Sequence, residues 1–378
     1  MIIHRILEEE IKRKLQGEPR VIVLYGPRQS GKTFLLRHLL EERKQKVLFL
    51  RGEDIQVQKV FSQPEYKRIK EFIGDTELLV IDEAQKIDNI GESLKLLFDT
   101  SPMPIIISGS ASFDLANKVA EPMTGRATLF TLYPLALAEV PVELPDSGIE
   151  VRLFDYLRFG MYPKIHVLSN VKDKEEYLYD VINTYLANDL LTFKEIKKPR
   201  KILDLLSLLA FQIGQEVNIE ELSKKLLLNR ETVEKYLDVL EKMFILVNLR
   251  GFSRNLRKEI TKTSKYYFTD LGIRNAVIRN FKVLDERDDV GRLYENFCVI
   301  ERFKKAANQK KHASFYFWRT YDQKEIDLVE EAEGRLRTFE FKFGNGKISK
   351  AAKKEFSENY PGSEFKIITP EALKGFLG

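Results

Sequence analysis

The sequence is poor in the features that build disulfide frameworks, cysteine metal centres and membrane spans. Its 378 residues include one cysteine, Cys298, which excludes an internal disulfide and a cysteine zinc site. No apolar run approaches the roughly 18 residues that a transmembrane helix needs. Residues 1–10 also lack the long apolar core of a signal peptide. These absences predict a cytoplasmic protein that does not act at a membrane.

Length and composition predict a folded chain of two or three domains. Single hydrophobic cores stop growing at about 250–300 residues, and this chain is longer. A hydrophobic content of 43% excludes wholesale disorder.

A glycine-rich loop follows the apolar run Val21–Tyr25 and precedes leucines at helical spacing. The loop consists of Gly26, Pro27, Arg28, Gln29, Ser30, Gly31, Lys32 and Thr33. Between a strand and a helix, this pattern is typical of the phosphate-binding P-loop, whose backbone amides and helix N-terminus attract the anion. A glycine turn that only joins strand to helix is the alternative.

The P-loop pattern predicts ATP and Mg²⁺ as cofactors. Lys32 is expected to reach the β- and γ-phosphates, and the Thr33 hydroxyl to hold Mg²⁺. A second apolar run, residues 78–81, leads directly into Asp82 and Glu83, which is the Walker B pattern. Asp82 is expected to hold Mg²⁺, and Glu83 to orient and deprotonate the attacking water. Adjacent carboxylates are also common on surfaces, but this glutamate predicts hydrolysis in addition to binding.

Apolar runs alternate with helical segments through this region. The alternation predicts a parallel α/β sheet whose ligand site lies at the carboxyl ends of the strands. A further run, residues 104–110, ends at Ser110. Ser110 is either a sensor that contacts the γ-phosphate or the attacking water, or the N-cap of the next turn.

The nucleotide motifs belong to an ordered series along the chain. The series comprises the P-loop, Leu78–Gln85, Ile105–Ser112, Thr124–Arg126, Tyr133–Leu135 with Glu139, and Phe159–Pro163. In this order the motifs resemble an AAA-type ATPase family of archaea and bacteria, although a second glycine often stands in that family where this chain has Met161. The resemblance implies a winged-helix region and a C-terminal PD-(D/E)xK nuclease-like region after the ATPase core. It also implies that Arg126 is an arginine finger acting in cis or from a neighbouring subunit, with a salt bridge to a nearby acid as the alternative.

Two predicted regions follow the ATPase core. Turn-rich residues 141–150 end the core, and residues 151–195 have the helical spacing expected of a small lid. From residue 201, three helical segments precede two apolar strands, at residues 244–250 and 265–269. A helix-turn-helix followed by a two-stranded wing is a winged helix.

The predicted wing is strongly basic. Between Arg250 and Lys265 lie six bases and one acid, a net charge of +5 that equals the excess of the whole chain. The candidate DNA-binding residues are Arg250, Arg254, Arg257, Lys258 and Lys262. Acids outnumber bases on the recognition helix, which favours contact of the wing with the DNA backbone over base reading. A solvated loop, or a winged helix that binds a protein, is the alternative.

The last hundred residues contain a hairpin around Glu333–Gly334. A two-residue loop there pairs Asp327 with Glu340 and Glu325 with Lys342. Strand alternation then places these four side chains on one face, and it places three aromatic side chains on the other: Phe339, Phe341 and Phe343.

Carboxylates beside a lysine predict a metal-dependent nuclease site on this hairpin. Asp327 and Glu340 are expected to hold Mg²⁺ or Mn²⁺, with Glu295 supporting from an upstream apolar helix. Lys342 is expected to steady the attacking water or the phosphate charge during DNA cleavage. The resemblance implies the same site. A ladder of cross-strand ion pairs is the alternative.

Together these patterns predict an α/β chain of four regions: a P-loop AAA-type core over 1–145, a helical lid over 146–199, a winged helix over 200–280, and a restriction-endonuclease-like α/β domain over 281–378. The predicted function is a Mg²⁺-dependent ATPase acting on DNA, in which ATP binding and hydrolysis control how the winged-helix and nuclease-like domains engage DNA. The alternative is a nucleotide-operated regulatory switch that binds a protein partner and carries a catalytically dead nuclease-like domain. An arginine finger supplied in trans would require a homo-oligomer.

Overall fold

The computed structural model divides the chain into two compact units. One comprises residues 2–134 with 242–244, and the other residues 135–241 with 245–378. The residues that the structure describes are 3–41, 43–109, 122–140, 148–188, 196, 198–253, 264–320, 322–344 and 350–377. No described helix combines the length and apolar character needed to cross a membrane.

The first unit is built on a parallel sheet, as the sequence predicts. Its strands are β1 Val21–Tyr25, β2 Val47–Arg51, β3 Leu78–Asp82, β4 Ile105–Gly109 and β5 Ala127–Thr131. They lie in the order β2-β3-β4-β1-β5, and every pairing is parallel. The P-loop strand β1 is therefore separated from the Walker B strand β3 by β4 alone. This order decides which side chains meet at the carboxyl edge of the sheet.

Helices cover both faces of this sheet, which explains why its central strands read as continuous apolar runs. The helices are α1 Leu7–Leu15, α2 Lys32–Glu41, α3 Ile55–Phe61, α4 Tyr66–Ile73 and α5 Ile90–Thr100. Leucines and isoleucines of α1 and α2 share one buried cluster with Ile22, Leu24 and Val80. Apolar residues of α3, α4 and α5 share the other cluster with Val23 and Ile81. Alternate residues of each strand thus pack on opposite helical layers.

The second unit begins with helices. These are α6 Gly148–Phe159, α7 Val171–Asn188, α8 Pro199–Phe211, α9 Ile219–Leu226, α10 Arg230–Lys242 and α11 Leu271–Val277. Helix α9 begins with a side-chain cap, because the Asn218 side chain accepts hydrogen bonds from the amides of Glu220 and Glu221. The last part of the unit contains α12 Val290–Asn308, α13 Lys350–Asn359 and α14 Leu373–Leu377.

One sheet of seven strands runs through the second unit. The strands are β6 Glu216–Val217, β7 Leu246–Gly251, β8 Ser264–Phe268, β9 Ala313–Arg319, β10 Glu325–Ala332, β11 Arg335–Phe341 and β12 Glu364–Ile368. They lie in the order β12-β11-β10-β9-β7-β8-β6. Strand β7 pairs in parallel with β9, so the strands expected in the winged helix and in the nuclease-like domain form one continuous sheet.

The Phe159–Pro163 motif has a packing role in this unit. Gly160 has a φ of +74°, and a Cβ on it would lie 2.1 Å from the Asp270 carboxylate. The same carboxylate accepts a hydrogen bond of 2.6 Å from the Met161 amide and caps α11 at Ile273. Burial raises the pKa of Asp270, while these backbone donors oppose the rise. The glycine thus gives the end of α6 a close approach to the start of α11.

Candidate functional site

The P-loop closes tightly around the Lys32 side chain. The ammonium group is buried and donates to the carbonyls of Gly26 and Pro27 at 2.8 and 2.7 Å. Gly26 has a φ of +152°, and a Cβ there would lie 2.1 Å from the Leu132 carbonyl oxygen. Only glycine allows the loop to pass this close to the end of β5. The plain-turn alternative gives no reason to bury a lysine at this place.

Arg5, which precedes helix α1, binds the P-loop and holds it in place. Its guanidinium donates to the carbonyls of Ser30 and Tyr133 at 2.8 and 2.7 Å. Ser30 is fully buried, and its hydroxyl has no hydrogen-bond partner among the described atoms. Arg28 is half-buried and Gln29 is exposed. A buried hydroxyl without a partner in a glycine-rich loop suits an anion that would supply the acceptor.

The predicted magnesium ligands meet at the carboxyl edge of the sheet. The Thr33 hydroxyl donates to one carboxylate oxygen of Asp82 at 2.7 Å. Asp82 is buried, and its other carboxylate oxygen accepts a hydrogen bond from the Ser108 hydroxyl. A hydroxyl and a carboxylate in contact beside a phosphate loop are the oxygen donors that Mg²⁺ takes in P-loop ATPases.

Glu83 lies immediately beyond Asp82 in a left-handed backbone conformation with φ 54° and ψ 42°. Its amide donates to the Ser108 hydroxyl at 3.3 Å, and its carboxylate accepts a hydrogen bond of 2.5 Å from the Gln85 side chain. The Ser108 hydroxyl therefore contacts both the Asp82 carboxylate and the Glu83 backbone amide. Sequence reasoning missed Ser108, because a serine inside an apolar strand reads as a small buried residue. Ser110, which the sequence predicts as a sensor of the γ-phosphate or the attacking water, or as an N-cap, lies outside the described residues.

Arg126 is engaged in an ion pair. Its guanidinium donates to both carboxylate oxygens of Asp99, at 2.6 and 3.1 Å, in the forked geometry of arginine and carboxylate. This is the salt bridge that the sequence left open as an alternative. The pair is more than one-third exposed on both sides, and a role as an arginine finger would require Arg126 to leave Asp99.

The register predicted for the C-terminal hairpin is confirmed. The ladder from Leu328↔Phe339 to Ala332↔Arg335 places Asp327 opposite Glu340, around a turn in which Glu333 and Gly334 both have positive φ. The Phe341 amide donates to the Asp327 carboxylate at 2.7 Å. The predicted aromatic face is confirmed for Phe339 and Phe341, which both contact Phe376, whereas Phe343 contacts Tyr294.

A buried lysine lies among the acids around the hairpin. These acids, Glu295, Glu325, Asp327 and Glu340, are called the acidic cluster below. Lys265, on β8, is 1% exposed, and its ammonium contacts the carboxylates of Glu325 and Glu295, the latter at 3.5 Å. The Tyr267 hydroxyl also donates to Glu295 at 2.6 Å. Lys265 is the last of the six bases counted in the basic stretch, and because it is buried it adds no charge to an exposed basic surface. Its charge is neutralised by acids that lie 30 and 60 residues further along the chain.

The pKa of Asp327 is shifted by the burial of its carboxylate and by the charged groups packed around it. Burial and the neighbouring Glu295 raise the pKa of Asp327 to about 7, against the opposing effects of Lys265 and the Phe341 amide. Lys342 pairs with one oxygen of Glu340 at 2.9 Å, and the other oxygen of Glu340 is buried without a partner among the described atoms. The cluster therefore combines Glu340, which has one buried oxygen without a partner among the described atoms, with Asp327, whose deprotonation is opposed.

The three acids predicted to hold Mg²⁺ or Mn²⁺ near the hairpin do not all meet at one point. Within the described ranges, a compact set of possible metal ligands occurs in the first unit instead. It consists of His4, Glu8 and His38, whose ligand atoms all lie within 4.8 Å of one another. Glu295, Asp327 and Glu340 do not approach one another this closely. Glu295 is instead bound by the Lys265 ammonium and the Tyr267 hydroxyl, which occupy its carboxylate.

Of the candidate DNA-binding residues, the structure describes Arg250. It is exposed near the end of β7. The others, Arg254, Arg257, Lys258 and Lys262, lie outside the described residues.

Comparison with known proteins gives a family match over much of the first unit. Residues 18–141 match the family model described as AAA domain. Residues 150–283 and 290–371 match two further models, each described as a domain of unknown function, DUF8612 and DUF4143. These boundaries separate the P-loop region from the remainder of the chain.

Relatives occur in bacteria and archaea. Uncharacterized protein Rv2008c of Mycobacterium tuberculosis is 29% identical over 346 residues, which cover 90% of this chain and 74% of that protein. Uncharacterized protein MJ1544 of Methanocaldococcus jannaschii is 22% identical over 351 residues, covering 88% and 76%. Among solved structures, the Walker-type ATPase PABY2304 of Pyrococcus abyssi is 19% identical, with a TM-score of 0.46 and coverage of 73% of this chain and 96% of that one. Residues 18–141, which match the AAA domain model, contain the P-loop together with Asp82 and Glu83, so this region is similar to AAA-type P-loop ATPase domains.

Proposed function

We propose that the chain is a Mg²⁺-dependent ATPase that acts on DNA and uses ATP binding and hydrolysis to control DNA engagement by its second unit. The observation that carries the proposal is the hydrogen-bonded set Thr33–Asp82–Ser108–Glu83 at the carboxyl edge of a parallel sheet. Nucleotide-binding folds of this class place their ligands at this edge.

The residues present suit ATP with Mg²⁺. The amides at the start of α2 and the Lys32 ammonium would bind the β- and γ-phosphates, and the Ser30 hydroxyl would gain the partner that it lacks. Thr33 and Asp82 would hold Mg²⁺, which neutralises phosphate charge when bound. Phosphate oxygens would compete with the carbonyls of Gly26 and Pro27 for the three ammonium protons of Lys32.

Glu83 would act on the attacking water, and Ser108 would help to position the residues around it. The Glu83 carboxylate would accept the proton of that water, while Gln85 keeps the carboxylate oriented. Ser108 would orient the Asp82 carboxylate and hold the backbone at Glu83, because its hydroxyl donates to the first and accepts from the amide of the second.

The order of elements in the second unit supports DNA as the partner. Helix α8, strand β6, helices α9 and α10, and the antiparallel strands β7 and β8 follow one another as in a winged helix. The basic stretch, which includes Arg250, connects the last two strands. A concentrated positive charge on such a connection suits the phosphate backbone and gives affinity with little dependence on sequence.

A second candidate function is favoured by Lys265. Its ammonium lies among the carboxylates where a nuclease would hold a divalent ion. This arrangement supports the nucleotide-operated switch, in which the nuclease-like region does not cleave and a protein partner takes the place of DNA. The position of Asp327 and Glu340 on neighbouring strands, with Lys342 just after β11, supports the nuclease-like site. The two candidates differ in whether DNA is the partner.

Steady-state ATP hydrolysis with and without DNA distinguishes the candidates. Duplex, single-stranded and branched DNA should each be tested at fixed salt, because contacts with phosphates weaken as salt rises. Stimulation by any of them that is lost on Lys32→Ala supports the DNA-acting ATPase. A slow rate that no DNA changes supports the switch.

A further inference from the structure

Two histidines and a buried acid converge between α1 and α2 of the first unit. The Nε2 atom of His38 lies 3.6 Å from one oxygen of Glu8, and the Nδ1 atom of His4 lies 3.9 Å from the other. The ligand atoms of all three side chains lie within 4.8 Å of one another. The chain contains four histidines, and two of them meet at this acid.

Glu8, the acid at the centre of this group, is buried and not solvated as a surface glutamate would be. Glu8 is 4% exposed, although it lies in the first turn of α1. Its carboxylate also contacts the Lys12 ammonium at 2.8 Å, and the Lys12 side chain is about one-third exposed. Lys12 can therefore swing into solvent and release a carboxylate oxygen, whereas Glu8 stays inside the cluster.

A second acid orients His38. The Nδ1 atom of this histidine lies 3.1 Å from a carboxylate oxygen of Glu41, and the Phe34 ring stacks beside the imidazole at 6.2 Å. When Nδ1 carries the proton and donates to Glu41, the Nε2 lone pair is available on the side of Glu8. A carboxylate behind a histidine is the outer-shell arrangement that fixes the tautomer of metal-binding imidazoles.

We propose that His4, Glu8 and His38 bind a divalent transition-metal ion of the zinc class, with water completing a tetrahedral shell. Two ligand atoms bound at about 2.1 Å to a tetrahedral ion lie about 3.4 Å apart. The observed separations of 3.6 and 3.9 Å need only small side-chain movements to reach this geometry. Two imidazoles and one carboxylate suit zinc, nickel or cobalt, whereas Mg²⁺ prefers oxygen ligands alone.

Such an ion would join the segment before α1 to the P-loop helix. His4 is adjacent to Arg5, whose guanidinium binds the Ser30 carbonyl of the loop, and His38 lies on α2, which begins at Lys32. A ligand that binds only the folded state stabilises it by linkage. Zinc should therefore raise the melting temperature of the first unit without nucleotide.

The test is calorimetric titration of Zn²⁺ alone into the full-length, nucleotide-free protein after chelator treatment. We expect one site per chain whose affinity falls at least tenfold in His4→Ala and in His38→Ala. Glu41→Gln should weaken binding about tenfold while the stoichiometry is kept, as for outer-shell partners elsewhere. His312→Ala removes an exposed histidine of the second unit, and Glu9→Gln removes an exposed neighbour of Glu8; both should leave affinity unchanged.

The His4 side chain is 76% exposed, so His4→Ala does not threaten folding. If the wild type binds no Zn²⁺, or if either His4→Ala or His38→Ala keeps the wild-type affinity, the site is overturned.

Discussion

The Thr33 hydroxyl donates a hydrogen bond of 2.7 Å to the Asp82 carboxylate, although 49 residues separate them along the chain. The contact joins the first turn of the P-loop helix to the end of the Walker B strand. The two residues expected to hold Mg²⁺ are therefore paired with each other within the protein. Binding of the ion would replace one hydrogen bond with two metal–oxygen contacts and would require little movement of the backbone.

Ser108 should be essential for efficient hydrolysis. Ser108→Ala removes the hydroxyl that contacts Asp82 and the Glu83 amide, and we expect kcat to fall about 10- to 100-fold, as for other positioned polar groups. The Mg²⁺ concentration for half-maximal rate should rise as well. Ser93→Ala is the matched control, because Ser93 is equally buried in the same unit but bonds to the Phe61 carbonyl. Equal kinetics for the two variants would remove Ser108 from the site.

Features that depend on neighbouring residues could be predicted from the sequence, whereas contacts between residues far apart along the chain could not. Continuous apolar runs predicted β1, β3 and β4, and the Glu333–Gly334 turn predicted the hairpin register, because both are local patterns. The contact of Ser108 with Asp82 depends on β4 lying beside β3, which no local pattern specifies. Lys265 reads as a surface base, and only the seven-stranded sheet places it beside acids far along the chain.

Binding to DNA should depend on the charge of the wing. We expect Arg254→Ala, Arg257→Ala and Lys258→Ala together to weaken binding about equally for unrelated sequences. The slope of log affinity against log salt should fall by about 0.9 for each lost phosphate contact on duplex DNA. The control is a triple variant of exposed lysines on α13, Lys350→Ala, Lys353→Ala and Lys354→Ala, which removes the same charge. If both triple variants bind with the wild-type affinity and slope, the basic stretch does not contact DNA.

The acidic cluster on the hairpin should be inactive as a nuclease, because Lys265 already neutralises Glu295 and Glu325. In nucleotide-free melting experiments, Mg²⁺ and Mn²⁺ should shift the wild type and Asp327→Ala by the same amount. Plasmid DNA should stay uncut with either protein. A metal-dependent shift that Asp327→Ala abolishes, or cleavage that disappears in this variant, would instead establish the metal site that the sequence predicts.

Stability at low pH should depend on Asp289. Burial alone would raise the pKa of this acid, but bonds from Arg287 and Arg274 hold the pKa down to about 2. Because the folded pKa lies below the ordinary value of about 3.9, the stabilising contribution is present above pH 4 and is lost as pH falls towards 2. Asp289→Asn should lower the free energy of unfolding of the second unit by about 1–2 kcal/mol at pH 7, and by much less at pH 2. Urea denaturation at both pH values measures this, with the exposed neighbour variant Asp288→Asn as the unaffected control.

The most direct measurement is the DNA affinity of Glu83→Gln with and without ATP and Mg²⁺, compared with that of Lys32→Ala. Glu83→Gln should bind ATP without hydrolysing it, because only the proton acceptor for water is removed, whereas Lys32→Ala should not bind ATP. We predict that ATP changes the DNA affinity of Glu83→Gln at least fivefold, within the usual range for coupled sites, and leaves that of Lys32→Ala unchanged. An affinity of Glu83→Gln that stays the same at saturating ATP would contradict control of DNA engagement by the nucleotide.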